Sequence, residues 1–221
     1  MTPERFTLRE RKFAKRKIAL AQAFIDRLAS TRFEDIHINE VCASVDVSPA
    51  TFFNYFPRKI DPIYYHNQLH TTRVIWKASR MTQGKQALDF IDAAFNELIV
   101  EYENPNVVYE IISTLVGQKQ YPQPLVISAA EKYYAFPGCE GIEHIETPSV
   151  LMENFFDDCL KKAIANGELP KTTDIKDAAM LLRTILVGVP LAMKFENFKN
   201  IGFQYKKQLT LIWRALGRKS R

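Results

Sequence analysis

Apolar residues recur at helical spacing along the whole chain. No run of strict alternation bounded by hairpin turns interrupts them, so the pattern predicts an all-α fold. The first helix opens at Thr7, with Glu10 three residues on in capping-box register. Its apolar face reads Phe13, Ala14, Ile18, Ala21, Phe24, Ile25 and Leu28; Arg9, Arg11, Lys12, Lys15, Arg16 and Lys17 form the other face. A short helix follows over about residues 38–44, with Ile38, Val41, Cys42 and then Val45 inward. A third covers residues 48–56. There Ser48 caps the backbone, Pro49 takes the first helical position, where no hydrogen bond is lost, and Phe52 and Phe56 anchor the core one turn apart. Three such helices bury a common core and leave one helix face free.

The rest of the chain predicts six or so further helices. Asp61-Pro62 repeats the cap-and-proline signal and opens a helix to about Arg80 carrying Ile63, Leu69, Val74 and Trp76. Gly84 marks a break, and the next helix turns Leu88, Ile91, Phe95, Leu98 and Tyr102 inward. Asn104-Pro105 caps another through about Val116, and a short helix is expected over residues 123–135. Residues 136–147, with Pro137, Gly138 and Gly141, read as a mobile loop. Thr147-Pro148 signals a helix to about Asn166 that Gly167 ends; Asp174 starts a long one through Phe195, apolar nearly all round from Ala178 to Met193. The last helix, from about Asn200 to Leu216, shows Phe203, Leu209, Ile212, Trp213 and Leu216. The expected organisation is an amino-terminal domain over residues 1–60 and a second over residues 61–221, with no internal repeat.

Charge sharpens this division. Residues 1–60 hold eleven Lys/Arg against seven Asp/Glu, while residues 61–221 hold nineteen against eighteen. The basic excess thus accompanies the short third helix, where phosphate binding would want it; a solubilising face is the plainer reading. The three cysteines, Cys42, Cys139 and Cys159, are odd in number and lack metal-ligand spacing, which suits a reduced cytoplasmic protein. Cys42 reads as a small core residue and Cys139 as a thiol in a Gly-rich loop. No apolar leader follows the first basic residues and no run of eighteen apolar residues exists, so neither a signal peptide nor a membrane span is expected.

The third helix carries more hydroxyl, amide and aromatic groups than a core helix needs. Small residues at its front, with Thr51, Asn54, Tyr55 and Lys59 behind, suit entry into a DNA major groove with a grip on flanking phosphates. Asn54 is the side chain able to read adenine bidentately, and Ala50 and Phe53 can touch a thymine methyl. The competing reading makes Phe53 and Tyr55 ordinary core aromatics.

Over about residues 10–60 the chain resembles the TetR family of bacterial transcriptional regulators. The resemblance rests on the apolar helix Ile18–Leu28, Phe33, Ile38 and Val41, Val47-Ser48, and Thr51-Phe52-Phe53 with Tyr55-Phe56 and Lys59. It implies a helix-turn-helix in which Ser48, Thr51, Tyr55 and Lys59 contact the DNA backbone, while Pro49, Ala50, Phe53 and Asn54 face base edges. It also implies a homodimer, a ligand-binding and dimerisation domain beyond residue 60, and repression relieved by an effector. The chain departs from the family at Arg32 and Asp46, where Gly is usual, at His37, where a capping Thr is usual, and at Pro62 in place of Leu. Asp tolerates a left-handed backbone at position 46; His37 is a poorer cap, and Pro62 shifts the start of the fourth helix relative to Lys59.

Specific affinity for a palindromic duplex operator needs two reading helices about 34–36 Å apart, hence a dimer. The apolar helix 178–193 and the last helix supply an interface, with Leu182, Val189, Leu209 and Trp213 as its expected residues. The middle helices are aromatic, which suits a cavity for a small, largely apolar or aromatic effector. Trp76, Tyr109 and Phe155 are the expected lining, with Arg183 as an anion partner. His66 and His70 share a helix face, but two histidines alone make an incomplete metal site, and solvated histidines are the default. No catalytic or cofactor motif is present, and Asp89, Asp92, Asp157 and Asp158 read as solvated. Two alternatives stay open: an enzyme with a helical fold and no recognisable motif, and a DNA-packaging protein without effector response.

Overall fold

A computed structural model describes residues 5–101, 105–120, 123 and 125–218. Among them are ten α-helices and no strand. The helices are α1 (Leu8–Leu28), α2 (Ile38–Ser44), α3 (Pro49–Tyr55), α4 (Asp61–Met81), α5 (Ala87–Glu101), α6 (Pro105–Val116), α7 (Ala129–Ala135), α8 (Glu153–Ala165), α9 (Ile175–Met193) and α10 (Ile201–Ala215). Tyr102 and Asn104, expected on an inward face and at a cap, lie outside the described residues.

Local signals set several helix starts. The Thr7 hydroxyl accepts from the Glu10 amide at 3.2 Å while the Glu10 carboxylate accepts from the Thr7 amide at 2.9 Å, which closes the capping box of α1. Asp174 accepts from the amides of Lys176 and Asp177 and begins α9. Elsewhere the helix starts differ from the expected ones. α4 begins at Asp61, but its carboxylate reaches back to the Arg58 amide and guanidinium, each at 2.8 Å, instead of capping the helix forward. The helix expected from Thr147-Pro148 starts at Glu153, after Met152 in a left-handed turn; the Pro148 carbonyl accepts from the buried Gln68 amide of α4, which pins the intervening residues to the body. The short helix expected from residue 123 is confined to α7, which the Ser128–Glu131 capping box initiates.

Residues 136–147 are packed, contrary to the mobile-loop expectation. A single 3₁₀ turn, Ile142–His144, buries Ile142 and Glu143 against α4 and α7, and the Glu140 carbonyl accepts from Trp76 Nε1 and Arg80. Two hydrophobic clusters result. One joins the inner faces of α4, α5, α8, α9 and α10. The other joins α1, α2 and α3 to Ile63, Tyr64, Tyr65 and Leu69 of α4, Ile111 and Leu115 of α6, and Phe136, Ile142 and Val150 beyond. The core of α1, α2 and α3 therefore runs on past residue 60.

Three expectations about helix faces are corrected. Lys17 lies inside, not on the cationic face of α1. Phe13 lies outside, not within the buried apolar face of α1. Asp89 and Asp92 are half-buried and paired, not free in solvent: Arg218 pairs with both, and Asp92 accepts from Trp213 Nε1 at 2.7 Å. Ile175–Glu196 is long and apolar enough to cross a membrane by length and composition alone, a test that a buried core helix also passes. It serves as a core helix, burying Ala178, Ala179, Leu182, Ile185, Leu186, Val189 and Met193 against α6, α8 and α10.

Candidate nucleic-acid interface and ligand cavity

The turn between α2 and α3 closes by backbone bonds. The Val45 and Val47 amides both donate to the Cys42 carbonyl, and Asp46 takes the left-handed conformation at φ 52° that a Gly would take without strain. His37 starts α2 with no side-chain cap. The Ser48 hydroxyl accepts from the Thr51 amide at 3.1 Å and lies 2.9 Å from the Thr51 hydroxyl. Pro49 is at the first helical position. Phe52 and Phe56 are fully buried, their rings 5.7 Å apart, with Tyr65 of α4 packed on Phe56 at 5.5 Å.

That anchoring decides what faces out. Ser48, Pro49, Ala50, Phe53 and Asn54 are exposed, while Thr51, Tyr55 and Lys59 are half-buried at the edge. Phe53 is 47% exposed, which removes the core-aromatic reading for it. Tyr55 packs its ring on Phe13 at 4.8 Å, so α1 borders the same surface. The Lys59 ammonium donates to the Glu34 carbonyl at 2.9 Å and lies 4.9 Å over the Phe33 ring, tied to the turn that enters α2. The Asp61 side chain beside Arg58 raises the guanidinium above its ordinary value, chiefly by accepting its hydrogen bond. Sequence reasoning missed both ties: Glu34 and Lys59 are 25 residues apart and carry no local signal, whereas Arg58 and Asp61 stand three residues apart.

The expected effector set is not assembled. Trp76 belongs to the cluster around α1, donates to Glu140 and carries Arg80 on its ring. Tyr109 and Phe155 belong to the other cluster, with Lys194 3.6 Å over the Tyr109 ring and Phe90 against Phe155. Arg183 faces Glu153 at 3.6 Å. A cavity of about 330 Å³ lies elsewhere, walled by Gln22, Ile25, Asp26 and Ala29 of α1, by α4 from His66 to Val74, and by Leu98, Val107, Val108 and Ile111. His66 and His70 line it, half-buried with their rings 4.0 Å apart, in place of the solvated pair expected. Their four-residue spacing was the sequence signal for this wall. No group of three His, Cys, Asp or Glu side chains suited to a metal occurs among the described residues.

The expected interface residues Leu182, Val189, Leu209 and Trp213 are buried within the subunit's own core, because α9 and α10 turn those faces on α5, α6 and α8. The outward faces carry Met180, Leu181, Phe203 and Leu211, all exposed. Cys42 and Cys159 are buried thiols and Cys139 is half-buried; none is paired.

By sequence the chain matches no family model and no curated protein. Among solved structures it is similar to a protein from Rhodococcus sp. assigned to the TetR family of transcriptional regulators, at 16% identity, with 91% of this chain and 98% of that one covered and a TM-score of 0.63. It is similar also to the fatty acid degradation regulator FadR from Bacillus halodurans, at 17% identity, 92% and 97% coverage and a TM-score of 0.63. A third, a bacterial regulatory protein in the TetR family from Rhodococcus RHA1, shares 15% identity over 95% of this chain and 99% of that one, with a TM-score of 0.55. The all-helical fold is that of TetR-family regulators.

Proposed function

We propose that this protein is a non-enzymatic, DNA-binding transcriptional regulator of the TetR type, acting in the cytoplasm as a homodimer on a palindromic operator and released by a small-molecule effector. The observation that carries the reading is the orientation of α3. Its core edge is held by Phe52 and Phe56, and its exposed edge offers Ser48, Pro49, Ala50, Phe53 and Asn54. In this reading Ser48, Thr51 and Tyr55 contact phosphates. Asn54 reads a base edge, and Pro49, Ala50 and Phe53 lie against apolar base surface. Lys59 reaches DNA by exchanging the Glu34 carbonyl for a phosphate oxygen.

Exposed apolar residues on the outer faces of α9 and α10 support dimerisation. Met180, Thr184, Val187 and Gly188 line a shallow depression with Leu151, and Phe203 and Leu211 stand eight residues apart on α10. The effector site in this reading is the cavity between α1 and α4–α6, whose volume is in the range of small-molecule pockets. A ligand there touches the first reading-domain helix and the fourth helix at once. It releases DNA only by favouring an arrangement of α1 that differs from the operator-bound one.

Selection of bound duplexes from a random pool tests the reading. The expected result is an inverted repeat whose half-sites are one duplex turn apart. Uniform recovery of all sequences would sink it.

A further inference from the structure

Residues 1–60 contain eleven Lys and Arg. Eight of them are engaged within the chain. Arg5 pairs with Glu143, Lys17 with Glu131, Arg27 with Glu40, Arg32 with Glu34 and Arg58 with Asp61. Lys15 lies over the Tyr134 ring, Lys59 donates to Glu34, and Arg11 is also held. Among the described residues the remaining three, Arg9, Lys12 and Arg16, have no ion pair, hydrogen bond or ring contact, and all are exposed.

These three are not scattered. At spacings of three and four residues they share one face of α1 over about 10 Å. With Leu8, Phe13 and Tyr55 they line an open depression, and the Phe13–Tyr55 ring contact joins that depression to the end of α3. A strip of unneutralised positive charge thus runs along α1 and meets the uncharged end of the reading helix at Tyr55.

We infer that Arg9, Lys12 and Arg16 form a second DNA-contacting ridge, which binds the sugar-phosphate backbone outside the base pairs met by α3. The inference rests on the regulator reading above. A duplex strand presents a phosphate about every 3.4 Å of axis, so a ridge of this length faces about three. Exposed Arg and Lys side chains attract phosphates, and contacts to phosphate carry no base code. Phe13 holds the Tyr55 ring where the two surfaces meet, so the phosphate expected at Tyr55 and those at the ridge belong to one backbone path.

The test uses the full chain and an operator recovered from the random pool, with affinity followed from about 50 to about 200 mM salt. For Arg9→Gln/Lys12→Gln/Arg16→Gln the expected result is a Kd raised about tenfold or more, with a salt slope shallower by about two to three per subunit. Base preference on reselection stays unchanged, and the protected footprint shortens at its outer ends. Lys85→Gln/Lys171→Gln, in the exposed turns before α5 and α9, leaves all of these as in the parent. Lys12→Glu alone, at the middle of the ridge, gives a loss in the same direction and decides the matter if the triple variant does not fold. Unaltered affinity and slope in a folded ridge variant overturn the inference and leave the regulator reading intact. A changed base preference overturns the backbone assignment. A parent protein that selects no sequence overturns the regulator reading and the inference with it.

Discussion

Lys17 of α1 and Glu131 of α7 meet at 2.7 Å, with side chains only 9% and 3% exposed. The ammonium also lies 4.5 Å over the Tyr65 ring of α4, and Glu131 caps the start of α7 through the Ser128 amide. Burial and the neighbouring carboxylate raise the Tyr65 phenol far above its ordinary value and keep it neutral. The Lys17 ammonium therefore ties α1 to α7 through an ion pair and to α4 through a ring contact.

Removing one partner leaves the other charge buried and unmatched. Lys17→Met is expected to cost about 3–5 kcal/mol of stability, read as a lowered urea midpoint. Lys17→Met/Glu131→Gln is expected to cost less than the sum of the two single changes. Additive losses would show that the pair is not coupled.

Adjacent phenylalanines of α3 are expected to behave oppositely. Phe52→Ala empties a filled core position and should cost about 3–5 kcal/mol. Phe53→Ala, on the outer face, should shift stability by no more than about 0.5 kcal/mol while altering operator preference. Thermal unfolding and reselection of DNA separate the two effects.

On the same face, Asn54→Ala should relax discrimination at one base position by about 1–3 kcal/mol. Thr51→Ala should weaken binding to all sequences alike. Competition among single-base operator variants distinguishes these patterns; a uniform loss with Asn54→Ala removes its base-reading role.

Asp46 turns the chain at φ 52° between α2 and α3. A β-branched residue there meets a steric cost of about 1–2 kcal/mol, so Asp46→Val should lower the melting temperature and Asp46→Gly should not. Equal melting of the two variants would indicate that the turn adopts another conformation.

Burial pushes the Cys159 thiol up to about 12, whereas an unfolded thiol ionises near about 8.5. The neutral thiol's contribution is complete below the unfolded value and is lost as pH rises through the interval to the folded one. Alkaline destabilisation should therefore be shallower in Cys159→Ala than in the parent. At neutral pH, alkylation should modify the half-buried Cys139 before Cys159 or Cys42, as peptide mass analysis would reveal.

The sequence disclosed what depends on a few neighbouring residues. Thr7 with Glu10, Ser48 with Pro49, and Asp174 each set a helix start because the cap and the freed amides lie within one turn. Thr147-Pro148 carries the same local signal and misleads, because Gln68, eighty residues away, claims the Pro148 carbonyl. Lys17 sits among cations, and only the fold brings Glu131 to it. Aromatic content likewise indicates that a core is rich in rings without saying which rings share it, so Trp76 falls in a different cluster from Tyr109 and Phe155. A helix apolar on two sides leaves open which side its own subunit covers, hence the inward Leu182 and Val189.

The cluster that joins Phe24, Phe52 and Phe56 to Tyr65, Leu69 and Ile142 has a practical corollary. A fragment severed after residue 60 would bare half of its own interior to water, and grafting it onto a foreign body would require transplanting the first turns of α4 as well. Tyr65 of α4 packs directly on Phe56, so a displacement of α4 is felt first by the aromatic floor beneath the exposed face of α3.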